Sequence, residues 1–144
     1  MKKISIILAT ITVLAFSSCS NDDNSNNMGS VVGKWEYTQT GYLINGAEVL
    51  ETYNHTTGCE KDYIEFKSSG TFDDVWYSNG GSGCTSDDDS GTWTQNGATI
   101  TTTYSDQDSS VGEILTLNST TLKVRFVDTS EGTTETYITV LTRG

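Results

Sequence analysis

Val32-Gly33-Lys34-Trp35-Glu36-Tyr37 is the stretch from which the fold is read. It opens a segment in which Trp35, Tyr37 and Gln39 alternate with Glu36, Thr38 and Thr40, the period of two that belongs to a β-strand. The strand is predicted from Gly33 to Ile44. It stops at Asn45-Gly46, a pair that tolerates positive φ and so favours a two-residue hairpin. The same pattern then repeats to the C-terminus. Further strands are predicted at about 47–53, 62–67, 71–78, 91–95, 98–104, 111–117, 121–128 and 133–143, separated by Gly-, Asn- and Ser-rich connections. There is no proline, and no stretch has a convincing helical period.

Eight or nine sequential strands with short connections describe an all-β antiparallel meander, expected to close into an up-and-down β-barrel and so remove its edges. A two-sheet sandwich is the alternative, but it normally needs longer crossovers. Connections in a meander alternate between the two ends. The turns at 45–46, 68–70, 96–97 and 118–120 are therefore expected at one end, and the loops at 54–61, 79–90, 105–110 and 129–132 at the other. That reasoning puts Cys59, Cys84 and the entry at Gly33 and Trp35 together at the loop end.

The first thirty residues are of another kind. Lys2 and Lys3 precede an apolar run from Ile4 to Phe16, then Ser17-Ser18-Cys19. This is the layout of a secretory signal peptide over 1–18, too short to span a bilayer comfortably. The site resembles a bacterial lipobox, which makes Cys19 the expected lipidated N-terminus. An ordinary signal peptide with an incidental cysteine is the alternative. Ser20-Asn21-Asp22-Asp23-Asn24 resembles the acidic signal that sends Bacteroidetes-type lipoproteins to the outer surface. Residues 19–30 read as lipidated cysteine plus flexible tether with a reach of about 17–20 Å, and 31–144 as the folded domain. The expected location is the outer membrane, lipid-anchored and facing the cell surface, with the periplasmic face as the other choice.

Charge narrows the partners. The 144-residue chain carries a net charge of −11, and loss of residues 1–18 leaves six basic against nineteen acidic side chains, or −13. A nucleic acid would be repelled, so the expected partners are the membrane and a small molecule, with the protein itself a monomer. Cys59 and Cys84 remain as a pair in an exported domain, read most simply as a disulfide worth on the order of 3 kcal/mol. Zinc competes, but the one histidine, His55, supplies at most one ligand.

Catalysis finds little support. His55 sits in a polar loop and reads as a surface residue. No nucleophile elbow or Ser/His/Asp order is present, and Asp73 and Asp74 are adjacent on a strand and point to opposite faces. Asp87-Asp88-Asp89, with Asp106 and Asp108, could offer oxygens to calcium but lacks calcium-loop spacing and reads as solvated loop. No enzyme activity, cofactor or metal is expected. The aromatic residues are the remaining resource. Most must fill the core. If the interior is not full, Tyr37, Phe72, Trp76, Tyr104 and Phe126 are the candidates to line a cavity for a partly apolar ligand.

Val32-Gly33-Lys34-Trp35, Tyr63-Ile64-Glu65-Phe66-Lys67-Ser68-Ser69-Gly70-Thr71-Phe72, Gly91-Thr92-Trp93 and Ile114-Leu115-Thr116-Leu117-Asn118-Ser119-Thr120-Thr121-Leu122 occur in that order. Together they resemble the lipocalin-like domain of Bacteroidetes lipoproteins over residues 31–144, and Gly33-Lys34-Trp35 resembles the lipocalin Gly-x-Trp signature. The resemblance implies a small barrel, often with a ligand cavity, and no common ligand. It implies that Gly33 lets the strand bend and that Trp35 closes the base. It also implies an arginine across that tryptophan, for which Arg143 is better placed than Arg125. The plainer expectation, which is preferred, keeps Trp35 as a core aromatic and both arginines in solvent. The function expected is ligand binding inside the barrel. The alternative is a filled barrel acting through its surface as an interaction or adhesion module.

Overall fold

A computed structural model describes residues 29–128 and 134–144. The predicted signal peptide, Cys19, most of the predicted tether and the predicted 129–132 connection lie outside the described residues. Nine strands follow one another among the described residues: β1 (Gly33–Ile44), β2 (Ala47–Thr52), β3 (Tyr63–Phe66), β4 (Thr71–Asn79), β5 (Cys84–Asn96), β6 (Thr99–Tyr104), β7 (Ser109–Leu117), β8 (Thr121–Asp128) and β9 (Glu135–Arg143). Each pairs antiparallel with its neighbour in the order β2-β1-β3-β4-β5-β6-β7-β8-β9, and β9 returns to pair with β1. Eight strands thus close an all-β barrel, and β2 is a ninth carried on β1.

The path of β2 and β3 overturns the expected layout of the ends. Both pair antiparallel with β1 on the same side, β2 along Gln39–Ile44 and β3 along Gly33–Glu36. They are two parts of one line of strand, interrupted by an excursion over 53–62, so that excursion crosses no barrel end. Every later connection shifts accordingly. The turns around 67–70, 97–98 and 118–120 gather at the end where Gly33 pairs with Phe66 and Trp35 pairs with Arg143. The hairpin at 45–46 and the connections at 80–83 and 105–108 lie at the opposite end. The entry of the chain is therefore beside the tight turns rather than beside the loops and the cysteines.

The excursion leaves a gap in the ladder, and His55 fills it. Tyr53 N–H donates to the Thr38 carbonyl on one side of the gap, and Tyr37 N–H donates to the Asp62 carbonyl on the other. Between them the Asp62 N–H donates to His55 Nδ1 at 3.0 Å, and His55 Nε2 meets the Tyr37 carbonyl at 2.8 Å. Nδ1 is the acceptor, so the ring proton belongs on Nε2, which donates. His55 is thus a half-buried substitute for ladder bonds and not the surface residue its polar loop suggests. A bulge in β1 between Tyr37 and Gln39 falls at the same level. It breaks the predicted alternation, and Gln39 is exposed.

Cys59, at the tip of the excursion, is joined to Cys84, the first residue of β5, with Cα atoms 5.6 Å apart. The loop expected over 79–90 does not form at Cys84. Instead β4 and β5 pair from Asn79↔Cys84 to Thr71↔Thr92, so Asp87, Asp88 and Asp89 are strand residues. Of the two predicted Asn-Gly turns, one falls in place and the other shifts. Asn45 and Gly46 both have positive φ, as the first hairpin requires. The later hairpin turns on Gly97–Ala98, one residue further than predicted, with Gly97 at φ +58°.

The core gathers at the tight-turn end: Trp35, Ile64, Phe66, Phe72, Ile100, Ile114, Leu122, Val124 and Leu141, joined by Val31 from the segment ahead of β1.

Candidate ligand-binding site

The base of the barrel is built around Trp35, which is fully buried. Its indole N–H donates to the Val31 carbonyl at 2.6 Å. The Arg143 guanidinium lies over the ring, 3.9 Å from the centroid, and donates from one Nη to the Val32 carbonyl at 2.7 Å. A cation over an indole contributes about 0.5–2 kcal/mol. Gly33 makes the arrangement fit. It has φ +128°, and a Cβ there would collide with the Arg143 guanidinium. The segment ahead of β1 seals the same end, because Gln95 accepts from the Val31 N–H and donates to the Gly29 carbonyl. The plainer expectation is corrected in part: Arg143 is exposed, and it also packs its guanidinium over Trp35. Arg125, by contrast, pairs with Glu113 on the outer surface.

Above this plug the barrel keeps a cavity of about 140 Å³. Its walls are mainly apolar: Ile64 and Phe66 from β3, Ile100 from β6, Leu122, Val124 and Phe126 from β8, and Leu141 from β9. Tyr37, Thr102, Tyr104, Ser110, Tyr137 and Thr139 complete them. Phe126 and Tyr137 stack at 4.8 Å, so one wall is a pair of parallel rings. Of the five residues expected to line a cavity, Tyr37, Tyr104 and Phe126 do. Phe72 does not, because it is fully buried in the packing below, edge-on to Tyr104 at 5.0 Å and tilted against Phe66. Trp76 does not either. It shares the inward side of β4 with Phe72, but lies four residues further along, where the β4–β5 ribbon leaves the core, and it is exposed.

Between Phe72 and Trp76 on that same side stands Asp74, which sequence reasoning set aside. Asp73 and Asp74 do point to opposite faces: Asp73 pairs with Lys67 outside, and Asp74 points in. The Tyr37 hydroxyl donates to Asp74 Oδ1 at 2.9 Å and the Tyr104 hydroxyl to Oδ2 at 3.2 Å. The two phenols that line the cavity thus converge on one carboxylate. Burial raises the Asp74 carboxyl above the usual aspartate range; the two tyrosine hydrogen bonds oppose this, and the charges of Asp89 and Asp62 add to it. Asp89 is directly opposite Asp74 in the β4–β5 ladder. The phenols respond in turn. Burial, with Asp74 beside them, pushes Tyr37 and Tyr104 well above the ordinary tyrosine value.

A second polar layer supports the first. Asp62 is buried, accepts from the Tyr53 hydroxyl at 2.9 Å and the Tyr77 N–H at 2.7 Å, and Tyr53 stacks on Tyr37 at 5.1 Å. Burial, then the Asp62 hydrogen bond, pushes Tyr53 up to about 12. His55 and Asp62 therefore fix the position of Tyr37, and Tyr37 orients Asp74. The sequence signal for Asp74 was its parity with Phe72 and Trp76, outweighed by its acidic neighbour.

A small antiparallel barrel, plugged at one end by a tryptophan under an arginine and holding an aromatic-walled cavity above it, defines a class of proteins built to enclose small molecules. The chain belongs to the lipocalin-like domain family, whose profile matches residues 31–124. Among solved structures it is similar to a lipocalin-like protein from Bacteroides uniformis, with 18% identity, 81% of this chain and 100% of that chain covered, and a TM-score of 0.56. It is also similar to an uncharacterized protein from Bacteroides eggerthii, with 16% identity, 78% and 98% covered, and a TM-score of 0.51. No curated protein matches the sequence. At such identities the likeness extends to the fold.

Proposed function

We propose that this protein is a non-enzymatic binder that takes a small, partly apolar molecule into the barrel, on the scale of one aromatic ring. The observation that carries this reading is the cavity itself. Pockets for drug-sized ligands run to about 300–1,000 Å³. A cavity of about 140 Å³ is close to the roughly 150 Å³ at which an apolar protein cavity holds benzene. The chemistry of the walls agrees, with aliphatic side chains below and phenol hydroxyls above. The test is thermal and calorimetric titration with benzene, toluene and larger aromatics. Single rings are expected to stabilise the protein, and two-ring compounds to bind at least tenfold more weakly. Thr102→Phe, which fills the space from β6, is expected to abolish binding. Equal stabilisation of the wild type and Thr102→Phe by toluene would place binding elsewhere.

The lipid anchor at Cys19 and a surface location in the outer membrane belong to the same reading, supported by the lipobox-like Phe16-Ser17-Ser18-Cys19 and the acidic residues after it. Metabolic labelling with a fatty acid is expected to mark the protein, and Cys19→Ala to abolish the label. The surface-interaction reading has one observation in its favour. Tyr42, Ile44 and Val49 are about half exposed on the β1–β2 hairpin, and β2 ends the strand order. Charges at Glu48 and Glu51 blunt that strand against pairing with another chain, so the cavity is the favoured reading.

A further inference from the structure

We infer that the ligand is a small organic cation, an ammonium carried on a compact apolar or aromatic body, with the body in the cavity and the ammonium at the Tyr37–Asp74–Tyr104 bridge. This rests on the reading of the cavity as a ligand site and adds the chemical class. Asp74 is the acidic group nearest to that space by hydrogen bonding, since both phenols that touch it also line the cavity. An ionised carboxylate offers about four acceptor sites, and here two neutral hydroxyls are hydrogen-bonded to it. The described basic side chains are engaged elsewhere. Lys61, Lys67, Lys123 and Arg125 pair with other carboxylates, Lys34 lies over Tyr63, and Arg143 over Trp35. The barrel therefore sets a carboxylate one hydrogen bond behind two cavity-lining phenols, and the described basic side chains give it no cation.

The geometry supplies a route for the charge. A phenol oxygen that donates to Asp74 keeps a lone pair with which to accept from a ligand N–H, so the ammonium need not displace either tyrosine. Such a chain of hydrogen bonds strengthens by mutual polarisation. Tyr137 and Phe126, stacked on each other, add aromatic surface to the same wall. Asp89, opposite Asp74, adds negative potential at the same level, and the chain's net charge of −11 draws cations and repels carboxylate ligands. A metal ion fits poorly, because calcium takes six to eight oxygens and these walls are largely hydrocarbon.

The experiment compares three probes of one shape, benzylamine, benzyl alcohol and benzoate, by calorimetry at neutral pH. Benzylamine is expected to bind at least tenfold more tightly than benzyl alcohol, with an advantage that shrinks as salt is added, and benzoate not to bind. Asp74→Asn is expected to bring benzylamine down to the level of benzyl alcohol. Should that variant fail to fold, the wild-type comparison of amine and alcohol decides by itself. Equal affinities for amine and alcohol, or an Asp74→Asn variant that keeps the preference, would overturn the cation assignment and leave the cavity reading standing. Failure of toluene and all three probes to bind would overturn both.

Discussion

The two levels of the barrel solve the problem of buried polarity in opposite ways. At the base, the indole N–H of Trp35 has the Val31 carbonyl, and the Arg143 guanidinium, at the rim, has the indole face and the Val32 carbonyl. One level up, Asp74 is held by two neutral hydroxyls while burial raises its carboxyl above the usual range. The base is self-complete and stabilises the fold. The upper level sets its hydrogen-bonded carboxylate and phenols beside the cavity. The base is filled, and the level above it keeps a space of about 140 Å³.

Variants that break each level should therefore behave differently. The largest effect is expected at the base. Trp35→Ala removes the fully buried plug and should cost about 3–5 kcal/mol, seen as a lower denaturant midpoint. Replacing Cys59 and Cys84 by serine opens a closure of sequence separation 25 and should cost on the order of 3 kcal/mol. Because the disulfide ties the excursion that carries His55 and Asp62, that change should also weaken binding at Tyr37. Arg143→Met keeps most of the packing and loses the cation over the ring, a cost of about 0.5–2 kcal/mol, with ring binding in the cavity unchanged.

The smallest effects, and the most specific, belong to the upper level. The folded-state value of Asp74 is raised above its ordinary 3.8. Its contribution to stability is thus complete below that ordinary value and is lost as pH rises through the raised one. Asp62 and Asp89 face it and reinforce the trend; Tyr37 and Tyr104 oppose it by hydrogen bonding. Asp74→Asn should accordingly gain on the wild type as pH climbs from acid toward neutral in parallel chemical melts. The tyrosines give the alkaline counterpart. Tyr53 is raised from 10.0 to about 12, with Tyr37 and Tyr104 also raised, so the stability they contribute is intact below pH 10 and lost as pH rises through the raised values. Phenolate absorbance during an alkaline titration should show these rings ionising together with unfolding rather than before it.

The sequence reveals the barrel more readily than the site, for reasons particular residues show. Leu122, Val124 and Phe126 alternate with Lys123 and Arg125, and a strand read from them matches β8 at both ends. The Asn45-Gly46 turn and the Gly33-to-Ile44 span were equally plain. The stretch 84–90 was not legible, because all seven residues are exposed and carry no apolar alternation; pairing with β4 makes them a strand. The excursion at 53–62 looked like an ordinary connection, since sequence does not show that β2 and β3 lie along the same side of β1. That one misreading moved the loops to the wrong end. Asp74 was hidden by Asp73, and Phe72 and Trp76 stood as cavity candidates because they are aromatic, without the depth along β4 that separates packed core, cavity level and exposed ribbon.

The central claim, that the barrel takes a single ring at the level of Tyr37, Tyr104 and Phe126, is tested most directly by a crystal structure of protein exposed to iodobenzene. The iodine's anomalous signal should lie inside the barrel, between those three side chains and above the Trp35 plug. Iodine found only on the outer surface, such as against Tyr42 and Val49, with the interior closed by its own side chains, would contradict it.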